Sequence, residues 1–133
     1  MSDKKTEKYI EAVGRRKTAV ARVRITPASK NTFVVNGKNL SEYFELDELI
    51  KVSESALNEV ETKYGVSAKV LGGGKNSQAG AIRLAISRCL VKEDQENRKT
   101  LKKLGFLKRD PRVKERKKPG LRKARRSQQW RKR

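Results

Sequence analysis

The chain has 133 residues, with 35 Lys or Arg, 15 Asp or Glu and no histidine, which gives a formal net charge of +20. This length suits one compact domain with an extension, and so large a surplus of one sign repels itself until a polyanion neutralises it. A single cysteine, Cys89, excludes an internal disulfide, and the absence of histidine makes a zinc site a poor hypothesis.

The charge is uneven along the chain. Residues 108–133 hold 14 basic and 2 acidic residues, a net charge of +12, whereas residues 1–107 carry a net charge of +8. We therefore expect a flexible N-terminus over residues 1–7, a globular domain over residues 8–105, and an extended basic tail over residues 106–133 that is disordered when free.

The first half of the domain shows strand patterns. Residues 8–13 form a candidate strand, residues 14–18 a basic turn, and residues 19–25 a strand in which apolar residues alternate with arginines. A short strand over residues 33–35 enters a tight turn at Asn36-Gly37, since this dipeptide readily adopts positive φ.

Mixed patterns follow. Residues 39–44 predict a brief helical turn capped by Ser41, and residues 46–64 predict a partly helical segment that Gly65 would end. Residues 66–71 again alternate as in a strand.

Two helices complete the domain. Residues 76–92 carry a broad apolar stripe with Asn76 or Ser77 as the N-cap, and residues 95–104 predict a second helix with Gly105 just beyond its end. Strands followed by helices over about 100 residues predict an α+β or α/β domain with one modest core.

The glycine triplet before the long helix has three interpretations. A nucleotide site fits poorly, because Lys75 is followed by Asn76 instead of Ser or Thr, and Ser77 stands where a dinucleotide motif needs its third glycine. The glycines could simply form a tight strand-to-helix turn. The interpretation that we favour adds a phosphate contact from a nucleic-acid backbone, with Gly73, Gly74 and Lys75 as candidate residues.

A second basic segment lies at the start of the domain. Arg15, Arg16 and Lys17 fall in the predicted turn, where they can project together, and Arg22 and Arg24 extend the basic surface along the next strand. We favour phosphate contact over a merely solvated turn for these five residues.

The tail favours nucleic acid over membrane. Its large apolar residues after residue 107 are only Val113, Leu121 and Trp130, too few for a membrane-bound helical face. Arg and Lys neutralise phosphates, and Trp130 could stack on a base. The candidate contacts in the tail are Arg109, Arg112, Lys117, Lys118, Arg122, Lys123, Arg125 and Arg126.

Catalysis has little support. Paired carboxylates such as Asp47–Glu48 lie on amphipathic or turn segments with lysines nearby, and Cys89 lies on the apolar side of a helix. The chain has neither a membrane-spanning run nor a secretory signal, so we expect a cytoplasmic protein. We also expect that it uses no cofactor. A free nucleic-acid chaperone and a small nucleotide-binding enzyme stay open as alternatives.

Several segments together resemble one family. "GRRKTAVARVRI", "NGKNLSEYF", "GGGKNSQAGAIRLAISRCL" and "LKKLGFLKRDPRVKERKKPGLRKARR" occur in the order typical of the ninth protein of the small ribosomal subunit, in its bacterial form. The resemblance covers nearly all of residues 8–133. The family commonly ends in "PQFSKR", whereas this chain ends in "QQWRKR".

The resemblance implies a fold and partners. The fold would be a four-stranded sheet with helices on one face and a left-handed βαβ crossover, like the second domain of the fifth small-subunit protein. The chain would be a non-enzymatic protein bound to the 3′ domain of the small-subunit rRNA in the subunit head, beside the seventh, tenth and fourteenth small-subunit proteins. Arg131, Lys132 and Arg133 would approach the anticodon stem-loop of peptidyl-site tRNA.

Overall fold

The computed structural model describes residues 9–113 and 115–126. It consists of β1 (Ile10–Arg16), β2 (Ala19–Pro27), β3 (Thr32–Val35), β4 (Lys38–Asn39), α1 (Leu40–Phe44), α2 (Asp47–Asn58), β5 (Tyr64–Leu71), α3 (Lys75–Glu93) and α4 (Asn97–Lys103). The order of strands and helices confirms the α+β class. The predicted flexible N-terminus, residues 1–7, lies outside the described residues.

The strands form one mixed sheet in the order β1-β2-β5-β3-β4. Only β3 and β5 are parallel, and the chain connects them through β4, α1 and α2. The expected count of four strands is wrong, because the chain after the Asn36-Gly37 turn pairs back on β3 as the two-residue strand β4. Positive φ at Asn36 (50°) and Gly37 (82°) confirms the predicted turn. The left-handed course of the crossover stays a prediction.

One face of the sheet holds the core. In β2 the side chains alternate, with Ala21, Val23 and Ile25 buried and the intervening arginines exposed. β5 repeats this alternation from Tyr64 to Val70. The helices cover the buried face, where α3 packs on β1 and β2 and α2 packs on α3. The predicted half-buried strand with a basic outer face is therefore confirmed.

The closest approach between sheet and helix is at Gly14 in β1. A Cβ atom built on Gly14 would lie 2.0 Å from the carbonyl oxygen of Ala81 and 2.7 Å from the backbone nitrogen of Ala85. No real Cβ atom could occupy that position, because both neighbours belong to the α3 backbone. Glycine at this position therefore sets the depth at which α3 packs on the sheet.

The edge strand β1 is protected by basic side chains of α3. Arg88 donates from Nη1 to the carbonyl oxygen of Val13 at 2.6 Å, and Lys92 donates from Nζ to that of Glu11 at 2.8 Å. An unpaired edge offers its backbone to other chains. The two charged groups cover part of that edge with donors that another strand would have to displace.

The segment before β5 differs from the prediction. α2 ends at Asn58, whereas the predicted helical stretch reached residue 64 and used Gly65 as its stop. Tyr64 and Gly65 instead begin β5, because Tyr64 continues the alternation of Val66 and Ala68 into the core. Leu57, Val60 and Tyr64 also fit the spacing of a helix, but the alternating burial from Tyr64 onward shows that Tyr64 belongs to the strand.

Two predicted caps are also wrong, although the helices exist. α1 begins at Leu40 with Asn39 as its N-cap, so Ser41 lies inside the helix. α3 begins at Lys75 with Gly74 as its N-cap, which places Asn76 and Ser77 inside its first turn. Neither cap residue makes a side-chain cap hydrogen bond.

The end of α4 directs the chain back to the body. Gly105, with φ of 79°, donates to the carbonyl oxygen of Lys102, and Phe106 donates to that of Leu101 at 3.1 Å. This pair of bonds is the Schellman motif, and it confirms the predicted glycine stop. Phe106 and Leu107, assigned to the tail from the sequence, pack against the core as partly buried side chains.

We expect Gly14→Ala to lower the free energy of unfolding by about 3 kcal/mol or more, because the added methyl group must push α3 off the sheet. Gly74→Ala is the matched control, since a Cβ there has no neighbour within 4 Å, and its N-cap position predicts a loss of about 1 kcal/mol or less. Urea unfolding followed by circular dichroism measures both. Equal losses would contradict the role of the close contact.

Candidate nucleic-acid interface

Three segments far apart in sequence meet at one end of the domain. The β1–β2 hairpin brings Thr18 and Ala19 against the glycine turn, where a Cβ on Gly72 would lie 2.8 Å from the carbonyl oxygen of Thr18. The Arg16 side chain donates to the carbonyl oxygen of Asn76, in the first turn of α3, at 3.4 Å. It also pairs with Asp110 in the tail, with 3.8 Å between Nη2 and Oδ2. We call these segments, residues 15–17, 72–75 and 108–112, the basic end.

Both hairpin arginines line one cleft at the basic end, although they differ in exposure. β1 continues through Arg16, and only Lys17, with φ of 52°, lies in the turn. Adjacent strand residues face opposite sides of a sheet. Arg15 is accordingly exposed, whereas Arg16 is half-buried and contacts α3.

The glycine turn has a structural reason for two of its three glycines. Gly72 and Gly73 adopt φ of 73° and 67°, and a Cβ on Gly73 would lie 2.9 Å from that of Ala19. Gly74 faces open space and adopts an ordinary φ of −88°. The tight turn is thus confirmed by geometry, while a phosphate contact at Gly73 and Gly74 stays a prediction.

Lys75 is held by the domain itself. Its Nζ atom donates to the carbonyl oxygen of Tyr43 at 2.9 Å and lies 3.7 Å from the centre of the Tyr43 ring. The Tyr43 hydroxyl in turn donates to Gln78, whose side-chain amide donates to the carbonyl oxygen of Gly72. Lys75 remains exposed, so its charge still contributes to the basic end.

The outer face of the sheet carries the next two candidates. Arg22 donates to Oε1 of Glu11 from Nη2 at 2.8 Å and from Nε at 3.1 Å, and Arg24 donates to Oε2 from Nε at 3.3 Å. The Arg24 guanidinium also lies 4.5 Å from the centre of the Tyr9 ring. The hydrogen bond from Arg22, with the charges of both arginines, holds the pKa of Glu11 below its ordinary value of 4.5.

The tail leaves the body through an ion-pair cluster. The Arg112 guanidinium donates to both carboxylate oxygens of Asp110, with 2.6 Å between Nη2 and Oδ2, and its backbone N–H donates to Oδ1 at 3.0 Å. These bonds, together with the charge of Arg16, hold the pKa of Asp110 well below its usual range. The first basic residues of the tail therefore have a defined position beside β1.

Farther along, the tail turns back on itself. Glu115 pairs with Lys118 and accepts a hydrogen bond from Nε of Arg125 at 2.9 Å. The backbone N–H of Leu121 donates to the carbonyl oxygen of Lys118 across Pro119-Gly120, where φ of Gly120 is 82°. Proline followed by a positive-φ glycine is the pattern of a type II turn.

All the tail candidates among the described residues are exposed, including the three that form ion pairs. Exposed basic side chains in the described part of the tail that belong to the predicted set are Arg109, Arg112, Lys117, Lys118, Arg122, Lys123, Arg125 and Arg126. Arg131, Lys132 and Arg133, together with Trp130, lie outside the described residues.

The acidic residues of the body are concentrated elsewhere. Residues 42–61, which include α2, contain seven Asp or Glu and one basic residue, Lys51. A groove farther on, near the start of β5, is lined by Glu59, Glu61, Glu93 and Asp94. These acidic surfaces would repel a polyanion. The basic end, the outer sheet face and the tail are therefore the surfaces that electrostatic attraction favours for contact with a polyanion.

Sequence reasoning did not single out Lys108, which lies in the basic end, or Arg83, which lies beside it. Arg83, in the middle of α3, is half-buried and lies with its guanidinium 5.0 Å from the centre of the Phe106 ring. The signal was Gly80, because a glycine inside a helical pattern usually has a packing reason. Here that reason is the Arg16 side chain, which crosses α3 at Gly80.

Binding is the chemistry that this arrangement supports. Guanidinium and ammonium groups neutralise phosphates and release their counterions. Among the described residues, no helix is sufficiently long and apolar to span a bilayer.

A comparison with protein families gives an independent result. The family model described as ribosomal protein S9/S16 matches residues 14–133. The match begins at the glycine that contacts α3 and covers the hairpin turn, the glycine turn, both long helices and the whole tail.

We expect the stability of the protein to depend on pH through Glu11. Its lowered pKa means that the ion pairs with Arg22 and Arg24 contribute fully above pH 4.5 and are lost as the pH falls through the folded-state pKa. Glu11→Gln should therefore flatten the acid limb of the unfolding free energy, measured by urea unfolding between about pH 6 and pH 3. Glu61→Gln, which makes no ion pair within the described residues, should leave that limb unchanged. A flattening of equal size in both variants would contradict the assignment.

Proposed function

Because the chain belongs to the ribosomal protein S9/S16 family, we propose that it binds the 3′ domain of the small-subunit rRNA through its basic end, outer sheet face and tail. The family makes it a non-enzymatic, structural protein of the small ribosomal subunit that serves translation. Its partners are accordingly rRNA and other ribosomal proteins. The cytoplasm, as part of the ribosome, is the compartment that we propose.

The meeting of the hairpin, glycine turn and tail at one basic end is the observation that best supports the proposal. Three short segments meet there, although about 100 positions separate the first from the last. Their combined net charge is strongly positive. A surface of this kind provides phosphate contacts that position a protein on folded RNA. The exposed arginines Arg22 and Arg24 extend it along the sheet.

The tail adds reach to this surface. Residues 8–105 would dock as the rRNA-binding body, and the segment from residue 106 onward would enter the space between RNA helices, where a globular surface has no access. From residue 113 onward the described part makes its ion pairs within itself, and it would fold against RNA on binding. The Asp110 cluster gives this segment its starting position beside β1.

We further propose that the terminal residues Arg131, Lys132 and Arg133 contact the anticodon stem-loop of tRNA in the peptidyl site. Their three positive charges at the end of the tail suit a phosphate backbone. The protein neighbours in the subunit head would be the seventh, tenth and fourteenth small-subunit proteins.

The full chain should bind a transcript of the rRNA 3′ domain with an affinity that falls steeply with salt. If it neutralises six or more phosphates, the dissociation constant should rise by about 10³-fold or more between about 50 and 200 mM monovalent salt. Filter binding across a salt series measures the slope. A slope near zero would contradict the proposal, and equal affinity for DNA of the same length would favour a general nucleic-acid chaperone instead.

Removal of Lys132 and Arg133 should leave subunit assembly intact and weaken retention of peptidyl-site tRNA, because two phosphate-neutralising charges are lost at the tip of the tail. Sucrose-gradient sedimentation measures assembly, and filter retention of labelled tRNA on purified subunits measures binding. A variant with Lys51→Gln and Lys63→Gln loses the same charge from exposed positions on the body and should retain tRNA normally. Normal tRNA retention in the truncated chain would restrict the tail to a role in assembly.

A further inference from the structure

A small cleft lies where β1, α3 and the root of the tail meet. Its volume is about 100 Å³, and its lining includes Arg16, Gly80, Arg83, Phe106, Asp110 and Arg112. Arg15 and Lys108 also line it, so five basic side chains surround one carboxylate. The cleft therefore has a strong positive excess in a confined space.

Arg16 reaches the cleft because residue 80 has no side chain. A Cβ on Gly80 would lie 2.6 Å from Cδ and 3.0 Å from Nη1 of Arg16. The Arg16 side chain is only 28% exposed, since it lies across the helix. Its guanidinium is thus held in place by packing, with little of the rotational freedom that an exposed arginine has.

Arg83 supplies the second guanidinium. The Cζ atom of Arg83 lies 5.0 Å from the centre of the Phe106 ring. Among residues 9–113 and 115–126, Arg83 forms no ion pair with a carboxylate. Burial, followed by the repulsive charge of Arg16, lowers the pKa of Arg83. Two partly buried like charges therefore line the same cleft, and an anion bound beside both would relieve the repulsion.

The one carboxylate in the cleft does not neutralise this pair. Asp110 is engaged by the Arg112 guanidinium at 2.6 Å, whereas its distance to Arg16 is 3.8 Å. The Arg112 guanidinium donates to both carboxylate oxygens of Asp110, so Arg112 is the closer of the two arginine partners of this carboxylate. Arg16 is therefore only weakly paired, and Arg83 has no carboxylate partner among the described residues.

We propose that this cleft binds one phosphate group of the rRNA backbone between the guanidinium groups of Arg16 and Arg83. The inference rests on the proposed function and extends it by naming Arg83 and Gly80 as parts of a single phosphate subsite. A cleft of about 100 Å³ has room for a phosphate group beside the two guanidinium groups. Planar guanidinium groups match the geometry of phosphate oxygens.

The test uses the full-length chain and the rRNA 3′ domain transcript, with filter binding over a salt series. Arg83→Gln should raise the dissociation constant about tenfold and should reduce the log–log salt slope by about 0.7–0.9, the value of one phosphate. Lys51→Gln, an equal loss of charge on the acidic helix α2, is the matched control and should change neither quantity beyond experimental error.

Gly80→Ala is the second variant, because it removes no charge and only displaces Arg16 from the cleft. We expect a severalfold weaker affinity together with an unchanged thermal unfolding midpoint or a higher one, since alanine favours the helix. This variant also keeps the test decisive if Arg83→Gln does not fold.

The outcomes separate the two proposals. If the wild-type chain shows no salt-dependent binding to the transcript, the proposed function fails. If the wild type binds as expected while Arg83→Gln matches Lys51→Gln, or Gly80→Ala binds as tightly as the wild type, the phosphate subsite alone is overturned.

Discussion

The contact between the backbones of β1 and α3 at Gly14 is the constraint on which the rest of the structure depends. Any other residue would place its Cβ atom 2.0 Å from the carbonyl oxygen of Ala81, so only glycine permits this depth of packing. The helix then lies so close that Arg88 and Lys92 reach the backbone of the edge strand, and that Arg16 reaches across Gly80. A core contact thus positions the basic side chains of the candidate interface.

The three acidic residues near the candidate interface are paired in the same way. Glu11 is shared by Arg22 and Arg24, Asp110 by Arg112 and Arg16, and Glu115 by Lys118 and Arg125. Each acid holds two basic side chains in position and leaves one positive charge in excess. Exposed ion pairs of this kind contribute little to stability, so a phosphate can replace the carboxylate at a low cost in free energy.

A second group of acids lies away from the basic end. The acidic residues of the segment 42–61 lie on and around α1 and α2. Because this side of the molecule is acidic, it does not add to the repulsion among the positive charges of the basic end. The charge asymmetry would orient the protein during its approach to RNA, because the field of the basic end attracts phosphates that the α2 surface repels.

Local sequence patterns predict the class of the fold, the long helix α3, the alternating strands β2 and β5, the Asn36-Gly37 turn, the glycine stop after α4 and the family. These features depend on local periodicity and on backbone conformations that few residue types adopt. The same patterns misplace the caps of α1 and α3 and the end of α2. In a run of polar residues, several positions are equally able to begin or end a helix.

The grouping of the basic residues depends on how the strands and helices pack in three dimensions. Arg15 and Arg16 are adjacent in sequence, but only the Arg16 side chain is half-buried against α3, where Arg16, Arg83 and Asp110 meet from three segments. The fifth strand, β4, also exists only because the Asn36-Gly37 turn brings two residues back onto β3. Charge and periodicity are properties of neighbouring residues, but a cleft is formed by long-range packing, which no local pattern encodes.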